Sequence, residues 1–188
     1  MAKLSIKDIT LSGKRAIVRL DLNVPLDDHQ AVTDTVRIDA AVPTLQLLLA
    51  QCERVVVMSH LGRPKGRRVA EMSLAPVSTV LAGLLNCTVR LAPDCTGLEV
   101  QKLLGATKPG ELLLLENLRF HAEEEANEPG FARELAGLGD LYVNDAFGTA
   151  HRAHASTEGI THYLSEAVSG LLMEREIRYL HGALRDPE

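Results

Sequence analysis

Arg54-Val55-Val56-Val57-Met58 runs directly into Ser59-His60-Leu61-Gly62-Arg63. The first half is a short, unbroken run of large apolar residues with three β-branched side chains in a row, the pattern of a strand buried on both faces. The second half is polar, carries a glycine that frees the backbone to turn, and ends in an arginine. A strand covered on both sides that opens at its carboxyl end into a polar loop is the repeating unit of a parallel α/β sheet, where ligands gather beyond the strand ends.

Working outward, the same design recurs. Arg15 to Leu20, Thr88 to Leu91, Glu111 to Leu115 and Leu141 to Val143 are four further candidate strands. Between them, Val36 to Ala50, Leu74 to Leu85 and Phe131 to Leu138 place apolar residues at helical spacing, and Leu171 to Leu184 repeats the pattern near the end. Pro43 falls inside the first helix, so that helix is expected to begin late or to kink. Strand and helix alternate, which right-handed crossovers accommodate on one parallel sheet. The expected fold is α/β: a doubly wound, Rossmann-like parallel sheet with helices on both faces. Asp186-Pro187-Glu188 has the composition of a turn or linker.

Composition agrees with one core. The 188 residues are 46% hydrophobic but only 3% aromatic, with no Trp, so the interior is built from Leu, Val, Ile and Ala. A net charge of -5 argues against general binding of nucleic acid or anionic membrane. Met1 to Thr10 lacks the apolar stretch of a signal peptide, and no run is long enough to span a bilayer, so a cytoplasmic protein is expected. Cys52, Cys87 and Cys95 fit neither a disulfide framework nor a zinc pattern, and are expected to be small buried thiols.

Four of the five strand exits carry polar chemistry. After the first come Arg19, Asp21 and Asn23; after the second, Ser59, His60, Gly62 and Arg63. After the fourth come Asn117, Arg119 and His121; after the fifth, Asn144, Asp145, His151, Arg152 and His154. An acidic chain that gathers Arg63, Arg119 and Arg152 with His60 at one rim is equipped to hold a compact anion, because guanidinium forks match phosphate and carboxylate oxygens. Any one such residue is more commonly a loop-solvating side chain, but coincidence at four exits argues against that for the set. Gly62 and Gly148 would let backbone N–H groups approach the anion. Asp21 reads equally as a general base or a turn residue. The i, i+3 pair His151 and His154 lacks a third ligand in sequence, so no metal site is expected and hydrogen-bonded loop histidines are. Glu123-Glu124-Glu125 reads as a solvated acidic loop. No phosphate-binding G-x-x-x-x-G-K-[ST] loop, dinucleotide glycine fingerprint or H-E-x-x-H zinc motif is present.

These rim residues lie in longer strings: Arg19-Leu20-Asp21-Leu22-Asn23-Val24-Pro25, Ser59-His60-Leu61-Gly62-Arg63-Pro64-Lys65-Gly66 and Glu116-Asn117-Leu118-Arg119-Phe120. The longest is Val143-Asn144-Asp145-Ala146-Phe147-Gly148-Thr149-Ala150-His151-Arg152-Ala153-His154-Ala155-Ser156, and Ser73-Leu74-Ala75-Pro76-Val77 and Leu172-Met173-Glu174-Arg175-Glu176 complete the series. In this order they resemble the signatures of phosphoglycerate kinases and cover essentially the whole chain. The resemblance implies a cytosolic, monomeric glycolytic kinase that moves a phosphoryl group between 1,3-bisphosphoglycerate and ADP, giving 3-phosphoglycerate and ATP. It implies one domain of a normally two-domain enzyme, with residues 1–170 as the amino-terminal substrate-binding domain and 171–188 as an interdomain helix and linker. The nucleotide-binding domain, with the ATP or ADP and Mg²⁺ sites, would be absent from this chain, which alone would bind no cofactor and would be inactive. Apolar surface that the missing parts cover would then be exposed.

Residue by residue, the resemblance assigns substrate binding to Asp21, Asn23, Arg37, His60, Arg63, Arg119 and Arg152, and a catalytic role to Arg37. Pattern alone finds six of these but leaves Arg37 as an exposed residue at a helix start. The position of Leu22 is often Phe in the family, and the residues just before Arg37 differ from the usual Asp-Thr. A stand-alone module for small phosphorylated acids is the alternative from a different class. A Rossmann oxidoreductase is disfavoured, because Asp21-Leu22-Asn23 stands where a glycine fingerprint would be.

Overall fold

In the computed structural model, which describes residues 4–185, six strands form one sheet, β1 (Arg15–Leu20), β2 (Arg54–Met58), β3 (Val89–Leu91), β4 (Leu112–Leu114), β5 (Leu141–Asp145) and β6 (Ala167–Ser169). Its order is β3-β4-β2-β1-β5-β6 and every pairing is parallel. The helices are α1 (Val36–Gln51), α2 (Ala75–Leu85), α3 (Leu98–Ala106), a single turn α4 (Ala122–Glu125), α5 (Pro129–Ala136) and α6 (Leu171–Arg185). The reading of Asp186-Pro187-Glu188 falls outside the described residues, as do Met1 to Lys3 of the opening segment.

Strand periodicity sorts the core into two layers. Ala16, Val18 and Leu20 of β1, Val55 and Val57 of β2, Leu112 and Leu114 of β4, and Leu141 and Val143 of β5 face one side with α1 and α2. Their alternates, Ile17, Val56, Leu113 and Tyr142, face the other with α3 and α5. The four central strands β1, β2, β4 and β5 are therefore covered on both faces, which is why they read as largely apolar runs. The chain leaves β1 toward β2 on one side and returns to pair β5 on the other, so the β1/β5 boundary is the topological switch point.

The α/β, doubly wound expectation holds, with three amendments. First, β6 and α3 are additional elements. Second, α1 does not begin late. It starts at Val36, where the Asp34 carboxylate accepts the Val36 backbone N–H at 2.9 Å, and continues through Pro43 to Gln51. Pro43 and Asp39, whose carbonyl Pro43 cannot engage, both lie on the exposed face, so water can satisfy the orphaned group. Third, the acidic run is helical, and Glu124 at its centre is buried. Cys52 and Cys95 are buried free thiols, while Cys87 is half-buried. Burial pushes the Cys52 thiol up to about 11. Among the described residues no helix is long and apolar enough to cross a membrane.

Candidate anion-binding site

A cleft of about 270 Å³ opens at the carboxyl ends of β4, β2, β1 and β5. Its walls are Asp21, Asn23, Arg37, His60, Gly62, Arg63, Arg119, Gly148, Thr149 and Arg152. All seven residues expected at the site are among them. Asp21 and Asn23 come from the β1 exit, His60 and Arg63 from the β2 exit, Arg119 from the β4 exit and Arg152 from the β5 exit, whereas Arg37 projects from the first turn of α1.

The loops are fixed by hydrogen bonds that link one exit to the next. Asn23 Oδ1 accepts the Gly62 N–H at 2.8 Å, joining the β1 and β2 exits. Gly62 has φ +62°, and a side chain there would press on the Met72 sulfur, so only glycine fits comfortably. Arg119 donates to the Gly62 carbonyl at 2.8 Å and pairs with Glu125 at 3.4 Å, which ties the β4 exit to the same loop. Asp21 accepts the Asn23 N–H and pairs with the Arg37 guanidinium. It is therefore a turn residue that steers Arg37. Arg37 is exposed along its length, as pattern alone suggests, yet its reach brings it to the cleft.

Several residues at the exits are not in the wall. Ser59 Oγ donates to the Leu20 carbonyl at 2.8 Å and accepts the Leu22 N–H at 2.9 Å. Asn117 is wholly buried, bonding Leu61, Met72 and the Arg119 N–H. Asn144 caps the turn at Ala146, and Asp145 is buried against the start of α6. Arg19 lies beneath the cleft rather than on its rim, for its guanidinium bonds Ser156, the Leu20 carbonyl and His60. These side chains build the floor on which the others stand.

Electrostatically the cleft is cationic. Burial holds His60 neutral, and the positive charges of Arg19, Arg119, Arg152 and Arg37 reinforce it, so its pKa falls to about 2. Burial likewise lowers Arg119, with Arg152 and Arg19 adding repulsion against the pull of Glu125 and Glu124. An anion entering the cleft would relieve this crowding. A divalent cation does not fit: the only carboxylate in the wall, Asp21, is paired with Arg37 and surrounded by arginines. His151 is exposed, and His154 stands 3.7 Å from Glu124, whose oxygens are engaged by Ser156. Among the described residues Asp94, Cys95 and His121 bring ligating atoms within 4.8 Å of one another. Burial keeps the Cys95 thiol protonated, and it donates to the Glu116 carbonyl at 3.0 Å, so this group is a local hydrogen-bonded cluster.

Thr149, Glu124 and Ser156 are the residues that sequence reasoning did not place at or beneath the cleft. Thr149 lies within the quoted Val143 to Ser156 string, and Glu124 was hidden by its two exposed neighbours.

Comparison with known proteins converges on one group. The family model described as "Phosphoglycerate kinase" matches residues 6–188. Proteins of that name from Moorella thermoacetica and Chlorobium chlorochromatii are 58% and 57% identical over 188 residues, covering all of this chain and 47% of each relative. The chain thus spans about half the length of the curated relatives it matches. The structure of phosphoglycerate kinase from Coxiella burnetii superimposes with a TM-score of 0.86 at 39% identity, over 100% of this chain and 46% of that one. That from Pyrococcus horikoshii does so with a TM-score of 0.87 at 31% identity, over 98% and 46%. The chain belongs to the phosphoglycerate kinase family.

Proposed function

We propose that this chain supplies the phosphoglycerate-binding half of a phosphoglycerate kinase, which exchanges a phosphoryl group reversibly between 1,3-bisphosphoglycerate and ADP. The observation that carries the reading is the convergence of Asp21, Asn23, Arg37, His60, Arg63, Arg119 and Arg152 on one cationic cleft at the switch point of the sheet. A three-carbon acid with a phosphate at one end and a carboxyl or acyl phosphate at the other needs this many donors in so small a space. In this reading Arg63, Arg119 and Arg152 neutralise the bound anion, while Asn23 and Asp21 set the loops.

Arg37 is the catalytic residue of the proposal. It lines the cleft from the first turn of α1 with its side chain open to solvent, and a guanidinium there would stabilise charge that spreads over the phosphoryl oxygens in the transition state. Its pairing with Asp21 keeps it extended toward the cleft before substrate arrives. Nucleotide and Mg²⁺ belong to a separate carboxyl-terminal half, with residues 1–170 as the substrate domain and 171–188 as the connection. Without that half the two substrates are not held in line, and that alignment supplies much of such an enzyme's rate. The working protein is cytoplasmic and monomeric in this proposal.

The test is a chimera in which this chain replaces the matching part of the Moorella thermoacetica relative. ATP formation from 1,3-bisphosphoglycerate and ADP, followed by a coupled assay, should appear in the chimera and be absent from the 188-residue chain alone. Arg37→Ala in the chimera should lower kcat at least about a hundredfold, the scale of one lost transition-state donor. A folded chimera without activity, or with activity indifferent to Arg37, contradicts the proposal.

A further inference from the structure

Behind the cleft lies a buried cation that the substrate cannot reach. Arg19, near the end of β1, is 1% exposed, and a guanidinium so placed is tolerated only when its donors and charge are matched. Its Nε donates to Ser156 Oγ at 2.9 Å, one amino group donates to the Leu20 carbonyl, and the other meets His60 Nδ1 at 3.1 Å. Ser156 in turn donates its hydroxyl to Glu124 Oε1 at 2.6 Å and its backbone N–H to Glu124 Oε2 at 3.0 Å. Glu124, 1% exposed, is the charge that balances Arg19.

The direction of one hydrogen bond in this chain is forced. A guanidinium has donors and no acceptor, so the imidazole nitrogen facing it must accept. Nδ1 of His60 therefore carries no proton, and the single proton of the neutral ring sits on Nε2. His60 lines the cleft, and its Nε2 neither bonds another described residue nor is sealed from solvent.

We infer that Arg19, anchored through Ser156 to Glu124, is a positioning residue that locks His60 in the Nε2–H tautomer and so presents a fixed, uncharged N–H donor to the ligand in the cleft. The consequence for substrate rests on the anion-binding proposal above, but the tautomer itself does not. It divides the labour of the site. The arginines supply charge, whereas His60 supplies direction, demanding an acceptor oxygen on the bound acid at one place. A histidine free to protonate would instead add another cation to a cleft already crowded with positive charge, with Arg19, Arg119, Arg152 and Arg37 all acting against it.

Long-range ¹H–¹⁵N spectra of the histidine rings in the ligand-free 188-residue chain read the tautomer directly. The expected result for His60 is a bare Nδ1 and a protonated Nε2, unchanged between about pH 8 and about pH 5. A proton on Nδ1, an average of both tautomers, or titration near the ordinary histidine value overturns the inference. Arg19→Met should leave a mixture of tautomers. Should that variant fail to fold, Ser156→Ala, which removes only the anchor, should give the same mixture with the amide spectrum otherwise preserved. A folded Arg19→Met that keeps a pure Nε2–H ring removes Arg19 from this role, and a folded Ser156→Ala that keeps it removes Ser156 as the anchor. Adding 3-phosphoglycerate to the same wild-type sample tests ligand binding separately, so the tautomer and the anion-binding proposal stand or fall independently.

Discussion

The guanidinium groups of Arg63 and Arg152 reach the cleft without a hydrogen-bond or ion-pair partner among the described residues, whereas those of Arg119 and Arg37 are each tied to a carboxylate. A cation with no internal partner gives up little when a ligand arrives, and Arg63 is also exposed, so its removal disturbs no packing. Arg63→Ala should weaken 3-phosphoglycerate binding about ten- to a hundredfold, as expected for one lost charge-assisted bond of about 1.5–3 kcal/mol, with the melting temperature essentially unchanged. Calorimetric titration beside a thermal melt checks both halves of that statement. His60 supplies a second prediction at this scale. Its folded pKa is depressed to about 2 from 6.5, so below pH 6.5 the unfolded chain takes up a proton that the folded chain refuses. Stability from this residue is complete above pH 6.5 and declines as pH falls toward 2, by about 1.4 kcal/mol per pH unit at most. Urea midpoints measured against pH should fall more steeply for the wild type than for His60→Gln; parallel curves contradict the burial of a neutral ring.

At the scale of elements, legibility followed burial. Four of the five candidate strands were readable because parallel strands covered on both faces become plain apolar runs, and their exits carry the cleft; the edge strand β3, only half-buried, was readable from its alternating Val89 and Leu91. What failed to show were two elements with little buried surface of their own. In β6 only Val168 is buried, and α3 begins with the exposed Leu98. The three glutamates at 123–125 misled for the same reason: a single helical turn buries one of three identical charges, and composition cannot tell which. Arg37 was opaque because it is exposed in the chain as it stands; nothing in local pattern separates an arginine waiting for a ligand from one in water. The join between β5 and α6 rests on another unremarkable residue. Asp145 Oδ1 accepts the Met173 N–H at 2.9 Å, and Gly170 lies so close to the Asp145 carboxyl that an added Cβ would overlap it. Gly170→Ala should therefore cost more than about 2 kcal/mol in urea unfolding, because the overlap falls on a buried, hydrogen-bonded group that cannot retreat. A neutral substitution there would mean that α6 is not held against β5 as described.

For the whole molecule, the decisive relation is between an acidic surface and one cationic cleft. A chain of net charge -5 concentrates arginines where four strand ends and the start of α1 meet, and sets Glu124 beneath them to make the buried charge tolerable. The fold brings the exits together without regard to their distance in sequence, which is why residues from 21 to 152 share one small space. On the proposal above, this space holds phosphoglycerate without help from a nucleotide-binding half. The most direct test is an NMR titration of the 188-residue chain with 3-phosphoglycerate and, separately, with ADP and Mg²⁺, following the amides around Arg37, His60, Arg63, Arg119 and Arg152. Saturable shifts at those positions with 3-phosphoglycerate, and none there with the nucleotide, are predicted; a folded chain that ignores phosphoglycerate, or that binds ADP in the cleft, would contradict the account.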